Sequence, residues 1–281
     1  TEGVEAEWDK DQGKYKIYPT YRKDISGNDV GVWFSFDTKP GETLYVQTGV
    51  SFVSEENAML NLTTEQPTLD FTAVRRAAED SWEKALRVVE VEGGTDDERT
   101  IFYTALYHLL IHPNILQDVN GQYPMMGSLE TGTTKHDRYT VYSLWDTYRN
   151  VHPLLSILYP RKQLAMVETM LDMYKEGGWL PKWELYGQET FTMEGDPSII
   201  VINDTWQRSI RDFDTKLAYE AMLKGATTPS KDNKLRPDFD DYASRGYVPL
   251  REQFDNSVSH ALEYYLSLIH ISEPTRLLSI S

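Results

Sequence analysis

The hydrophobic period of the chain changes once, and that change limits what the chain can fold into. Up to about residue 55 apolar residues alternate: VWFSFD puts Val32, Phe34 and Phe36 on one side, and ETLYVQTGVSFVS continues with Leu44 and Val46. SGND at Ser26–Asp29 and KPGE at Lys39–Glu42 supply turns between strands. From about residue 70 the period becomes helical. DFTAVRRAAEDSWEKALRVVEV opens on Asp70, an N-cap residue, and TDDERTIFYTALYHLLIHP has Thr95 and Glu98 at capping-box spacing. The second of these predicts an apolar face of Ile101, Phe102, Ala105, Leu106 and Leu109, ending at Pro113.

A glycine-punctuated loop (Gly121, Gly127, Gly132) leads to a helix over 143–152, interrupted near Pro153. PRKQLAMVETMLDMYKEGG predicts a helix with Pro160 near its first position, a buried stripe of Leu164, Val167, Leu171 and Tyr174, and a stop at Gly177–Gly178. Helices are expected over Ser198–Ile210 and over Asp214–Leu223, with Asp214 a cap and Gly225 a stop, and a last one opens at SVSHALEYY. Strands followed by consecutive helices argue for a β domain plus an all-α domain rather than an alternating α/β fold. Long loops alternating with short ones suggest antiparallel helix pairs, as in helical toroids with functional loops at one end.

Composition narrows the function. A net charge of −16 over 281 residues argues against nucleic acid as a partner. The chain has no apolar run long enough for a membrane span. It has no cysteine, which removes disulfides, thiolate metal sites and a cysteine nucleophile. The six histidines show no zinc spacing; His108 and His112 are four apart on what reads as ordinary core. The 18 Tyr and 7 Trp suit either aromatic-rich packing or half-apolar, half-polar surfaces such as sugar sites.

Three stretches could carry chemistry. SLWDTYRN sets Trp145, Asp146, Tyr148 and Arg149 within about one helical turn, either as a ligand-facing cluster or as a buried ion pair. Trp179–Pro197 combines Trp179, Trp183, Tyr186, Glu184, Glu189, Glu194 and Asp196, either as rings and carboxylates of a sugar site or as an acidic loop anchored by core tryptophans. Glu263 follows His260 by three residues on one face, either as a proton donor or as an exposed pair.

Taken in order, SFVSEENAMLNL, FYTALYHLLIHPN, YSLWDTYRNVHPLLSILYP, EGGWLPKWELYGQETFTMEGDP, DFDTKLAYEAMLKGA and SVSHALEY resemble blocks of the calcium-dependent exo-α-mannosidases of glycoside hydrolase family 92, over roughly residues 25 to 265. The resemblance implies the end of an N-terminal β-sandwich in 1–66, linker helices and loop in 67–137, and the first half of an (α/α)6 toroid in 138–265. It implies calcium-dependent removal of terminal α-linked mannose, α-1,2-linked, from mannosides or N-glycans with inversion, by a periplasmic, cell-surface or secreted protein. Inversion needs one carboxyl group to protonate the leaving oxygen and another to activate water across the sugar. Carried over block by block, Trp145, Asp146 and Arg149 would contact the mannose, with Trp183, Glu184 and Glu189 lining the same pocket. Glu263 would be the general acid, with Glu189 the runner-up. The base and the calcium ligands would fall after Tyr265, so this chain alone is expected to be inactive. Pro197 stands where many members carry His, which puts the linkage preference in doubt. The open alternatives are a non-catalytic carbohydrate-binding module on the same fold and an (α/α)6 glycosidase for another sugar.

The far end departs from all of this. LSLIHISEPTR at Leu266–Arg276 is identical to the translation of a transposase-based sequencing adapter. Residues 266–281 are therefore expected to be a non-native tail, and the chain a fragment.

Overall fold

The computed structural model describes residues 2–9, 14–19, 30–128, 130–250 and 257–266. The tail beyond residue 266 and the SGND turn lie outside the described residues. The chain divides into two compact units, 1–46 and 47–281.

The first unit is a three-stranded antiparallel sheet of β1 (Glu2–Asp9), β2 (Lys14–Pro19) and β3 (Val30–Ser35) in the order β2-β1-β3. β1 is central and sets both registers, pairing Val4 with Pro19 and with Trp33. The KPGE turn closes as expected, with the Glu42 amide donating to the Lys39 carbonyl.

The second unit is helical. The segment ETLYVQTGVSFVS, expected to continue the strands, forms none. From Gln47 on it lies along α1 (Glu55–Glu65), and side chains take the place of a strand ladder. Gln47 donates to the Gln66 and Thr68 carbonyls, and Asn61 donates to the Val50 carbonyl. Helix α1 gives no apolar signal because its buried residues are Asn57 and Asn61. α2 (Phe71–Leu86) and α3 (Asp96–Leu109) begin as the sequence predicts, on an Asp70 cap and a Thr95–Glu98 capping box. Only part of the expected α3 face is covered: Leu106 and Leu109 are buried, whereas Ile101 and Phe102 are exposed.

Short strands then frame the site. β4 (Asn114–Ile115) pairs with β7 (Tyr139–Thr140), and β5 (Gln122–Pro124) with β6 (Thr131–Thr133). β8 (Tyr142–Ser143) joins a hairpin of β9 (Trp183–Leu185) and β10 (Gln188–Glu189).

The core is built by α5 (Val151–Leu158), α6 (Pro160–Gly177), α7 (Pro197–Gln207) and α8 (Thr215–Thr227). α6 starts with Pro160 at N1 and ends at a left-handed Gly178, as predicted. Its buried surface is broader than a stripe. Val167 and Leu171 are joined by Ala165, Met166, Met170 and Met173, whereas Leu164 and Tyr174 are only half-buried. Helices on several sides explain this, and flexible methionines fill the irregular gaps between them.

Two breaks move. The helix expected over 143–152 ends early as α4 (Leu144–Thr147), and the interruption falls at 148–150, ahead of Pro153. Pro153 sits in the first turn of α5, where proline lacks no needed amide. Gly225 does not stop α8; it lies inside it. A Cβ there would meet Asp196 Oδ2 at 2.7 Å, so glycine lets α8 approach that carboxylate. Asp214 caps α8 by accepting from the Leu217 amide at 2.9 Å. α9 (Phe239–Arg245) and α10 (257–266) complete the described order. The toroid arrangement remains the expectation of the resemblance. Among the described residues no helix is long and apolar enough to cross a membrane.

Candidate active site

The three stretches singled out in the sequence meet. β8 runs into α4, so the cross-strand pair Ser143–Trp183 ties the SLWDTYRN segment to the tryptophan-rich hairpin. Partners in a ladder share a face, and successive residues alternate. Tyr142 and Glu184 are accordingly fully buried, while Ser143 and Trp183 on the opposite face are partly open.

Arg149, in the break between α4 and α5, is the hub of the open side. Its guanidinium centre lies 3.9 Å from the centre of the Trp145 ring and 4.5 Å from that of Tyr148, and it donates to the Trp145 carbonyl. The Trp145 indole nitrogen is buried without a hydrogen-bond partner. Asp146 is exposed and accepts from the Ser143 hydroxyl. Asp146 therefore does not pair with Arg149, although the spacing allows it.

Arg149 reaches instead to Glu263 on α10, Nη2 to Oε1 at 3.8 Å, and the Tyr148 hydroxyl donates to the same oxygen at 3.3 Å. Gly195, with φ of +72°, presses on Glu263 from the tryptophan-rich loop. A Cβ at 195 would lie 2.5 Å from Glu263 Cβ and 3.3 Å from Oε2, so only glycine lets loop and carboxylate come together. Glu263 and His260 are both buried, which removes the reading of an exposed pair. Burial pushes the Glu263 carboxyl above its ordinary value; the Tyr148 hydrogen bond and the Arg149 charge oppose that, and Glu194 adds to it. A carboxyl whose affinity for its proton is raised by burial, beside rings and a guanidinium, can donate that proton to a leaving oxygen.

The other two glutamates have different work. Glu184 is fully buried and accepts from the Thr140 hydroxyl, the Val141 amide and the Gly187 amide. Burial raises its pKa to about 7 against these hydrogen bonds. Glu189 accepts from the amides of Lys182, Trp183 and Phe191. Both hold the hairpin in shape through these bonds; their expected role in lining the sugar pocket is not carried by this geometry. Backbone amides as donors leave no trace in side-chain spacing.

Sequence reasoning missed the partners behind Glu263. Arg236 and Asp238, in a stretch read only as a proline-rich loop, are buried. Arg236 Nε lies 3.5 Å from Asp196 Oδ2, and Asp238 Oδ2 lies 2.7 Å from His260 Nδ1. The one available signal was three charges, Lys234, Arg236 and Asp238, alternating around Leu235 and Pro237. Among the described residues no group of three His, Asp or Glu side chains is placed to hold a metal ion. The described residues do not fit a calcium ion.

Comparison with known proteins shows the family. A protein described as an uncharacterized secreted glycosidase, from Arthroderma benhamiae, is 30% identical over 232 residues, covering 77% of this chain and 26% of its own length. A solved family 92 α-mannosidase from Bacteroides thetaiotaomicron is 32% identical with a TM-score of 0.74, over 82% of this chain and 30% of that one. The same enzyme has been solved with mannoimidazole bound. A second Bacteroides thetaiotaomicron structure, a family 92 inverting mannosidase, is 24% identical with a TM-score of 0.79 over 96% of this chain and 39% of that one, and it supports the fold alone. The chain thus spans about a quarter to a third of the length of the first two relatives. The profile of the glycosyl hydrolase family 92 catalytic domain matches residues 57–279, and the chain belongs to that family.

Proposed function

We propose that the protein carrying this chain is an exo-acting α-mannosidase that removes terminal α-linked mannose, α-1,2-linked, from mannosides or N-glycans, with inversion and with calcium. Glu263 is the general acid. Arg149, Trp145 and Asp146 receive the sugar, ring face on the indole and hydroxyls on the charged groups, with Trp183 at the edge of the same face. The observation that carries the reading is the position of Glu263: buried, with its carboxyl pKa raised by that burial, and met by Tyr148, Arg149 and Gly195. Membership of the family and the α-mannosidase neighbour support the substrate class. The secreted relative supports an exported protein, in the periplasm, at the cell surface or outside the cell.

Glu263 supplies the proton to the departing oxygen, and a second carboxylate, outside this chain, activates water on the opposite face of the sugar. The calcium of this reading would be held by residues other than those described.

The test is hydrolysis of α-mannosides and α-glucosides by the full-length protein, with and without chelator, following the anomer of the released sugar by NMR. Release of β-mannose alone, lost on chelation and restored by calcium, is expected. Preference for glucosides, retention of configuration or indifference to chelation would overturn the corresponding part of the reading.

A further inference from the structure

Helix α10 is amphipathic the wrong way round. Val258, Leu262 and Tyr265 face outward, whereas His260, Glu263 and Tyr264 are buried. On the inner face the fully buried Tyr264 ring supplies the apolar packing, and polar contacts hold the rest. His260 Nδ1 meets Asp238 Oδ2 at 2.7 Å with both side chains 7% exposed. Tyr264 stacks edge-on against Tyr242 of α9 and lies over Arg236, whose guanidinium centre is 5.1 Å from its ring. Arg236 is in turn paired with Asp196, the residue next to Gly195. Asp196 also accepts from Ser198 at 2.9 Å, at the N-terminus of α7 where a negative charge is favoured.

A buried ion pair and a buried hydrogen bond therefore start from one short segment, Arg236 to Asp238. One holds the loop that covers Glu263, and the other holds the helix that carries it, one turn before Glu263.

We propose that Asp238, through His260, is a positioning residue for the Glu263 carboxyl, with the Arg236–Asp196 pair fixing the Gly195 loop against it. The pairs act on where the carboxyl sits and touch no substrate. Removing the Asp238 carboxylate takes away the polar hold on the His260 turn of α10, and that turn shifts away from the loop. Glu263 then leaves Gly195 and becomes hydrated. Among the described residues, the charged and titratable groups acting on Glu263 include Tyr148 and Arg149 before α5 and Glu194 in the loop. The inference rests on the reading of Glu263 as proton donor, but its test measures position and needs no turnover.

The experiment is carboxyl-carbon NMR on this chain with labelled glutamate, the Glu263 signal assigned by its loss in Glu263→Gln. In the unaltered chain Glu263 titrates above the ordinary glutamate value of about 4.3 and shows a contact to the Gly195 α-protons. In Asp238→Ala the midpoint is expected to fall by at least about half a pH unit and the contact to disappear. Asp238→Asn, which keeps an acceptor for the imidazole N–H, is expected to retain both. A folded Asp238→Ala variant with an unchanged midpoint and contact overturns the proposal. If Asp238→Ala does not fold, His260→Ala is read the same way from the other end of the pair; loss of helical circular dichroism in both assigns the pair to the scaffold and overturns a positioning role. Normal turnover by full-length Glu263→Gln would overturn the acid assignment and leave the positioning result standing.

Discussion

Glu184 and Glu263 are both buried carboxyl groups whose affinity for protons is raised by burial, and they sit in opposite kinds of surroundings. Around Glu184 the chain turns tightly, and its two oxygens are taken by Thr140, Val141 and Gly187. Around Glu263 three distant segments meet, and the contacts are longer: a phenol at 3.3 Å and a guanidinium at 3.8 Å. Desolvation alone does not mark a catalytic acid. What separates the two is how firmly local donors already hold the carboxyl.

The comparison breaks most visibly in stability. Glu184→Leu leaves the Val141 and Gly187 amides buried without an acceptor and should cost about 3–5 kcal/mol in urea denaturation. Glu263→Gln in the same chain should change stability by no more than about 1 kcal/mol. Equal losses would show that Glu263 is also committed to the scaffold.

The pH dependence sharpens the same contrast. Glu184 keeps its proton to about pH 7 when folded, above its ordinary 4.5. Its contribution to stability is whole below pH 4.5 and lost as pH rises to 7. His152, enclosed by α5, α6 and α7 and bonded to Gln163 at 3.0 Å, goes the other way: burial lowers its pKa from 6.5 to about 4. The unfolded chain takes that proton first, so stability falls as pH drops from 6.5 to 4. Each shift corresponds to about 3 kcal/mol. The two slopes oppose each other, and stability of the unaltered chain should vary little between pH 4.5 and 6.5. His152→Gln should expose the Glu184 slope, with stability falling as pH rises; Glu184→Gln should expose the reverse.

Smaller effects follow at the rim. Arg149→Gln removes a nearby positive charge and should raise the Glu263 midpoint by up to about one pH unit, leaving Glu184 where it was. Asp214→Ala removes a helix cap away from both carboxyls; it should cost about 1 kcal/mol and move neither midpoint.

The sequence carried local features well and long-range ones poorly. Asp70, the Thr95–Glu98 box, Pro160, Gly178 and Asp214 act through neighbours a few residues away, so their spacing is enough to read them. Gly225 was misread because a glycine that ends a helix and one that admits a neighbouring carboxylate look alike in sequence. Helix α1 was unread because it buries asparagines, and the 43–54 segment was misread because alternating apolar residues look alike whether they meet a strand or a helix. Within the site, the rings, Arg149 and Glu263 were legible as a cluster through the family resemblance. That Glu189 bonds nearby backbone amides leaves no trace in side-chain spacing, and that Glu184 meets Val141 and that Arg236 and Asp238 stand behind Glu263 depends on contacts tens of residues apart.

The account stands on Glu263 giving its proton to the departing oxygen. The direct measurement is the dependence of rate on leaving group in the full-length protein with Glu263→Gln. Mannosides with a poor, unactivated leaving group should slow by a factor of about 100 to 10,000, and aryl mannosides that depart without a proton should slow far less. An equal loss on both, or no loss on either, would contradict it.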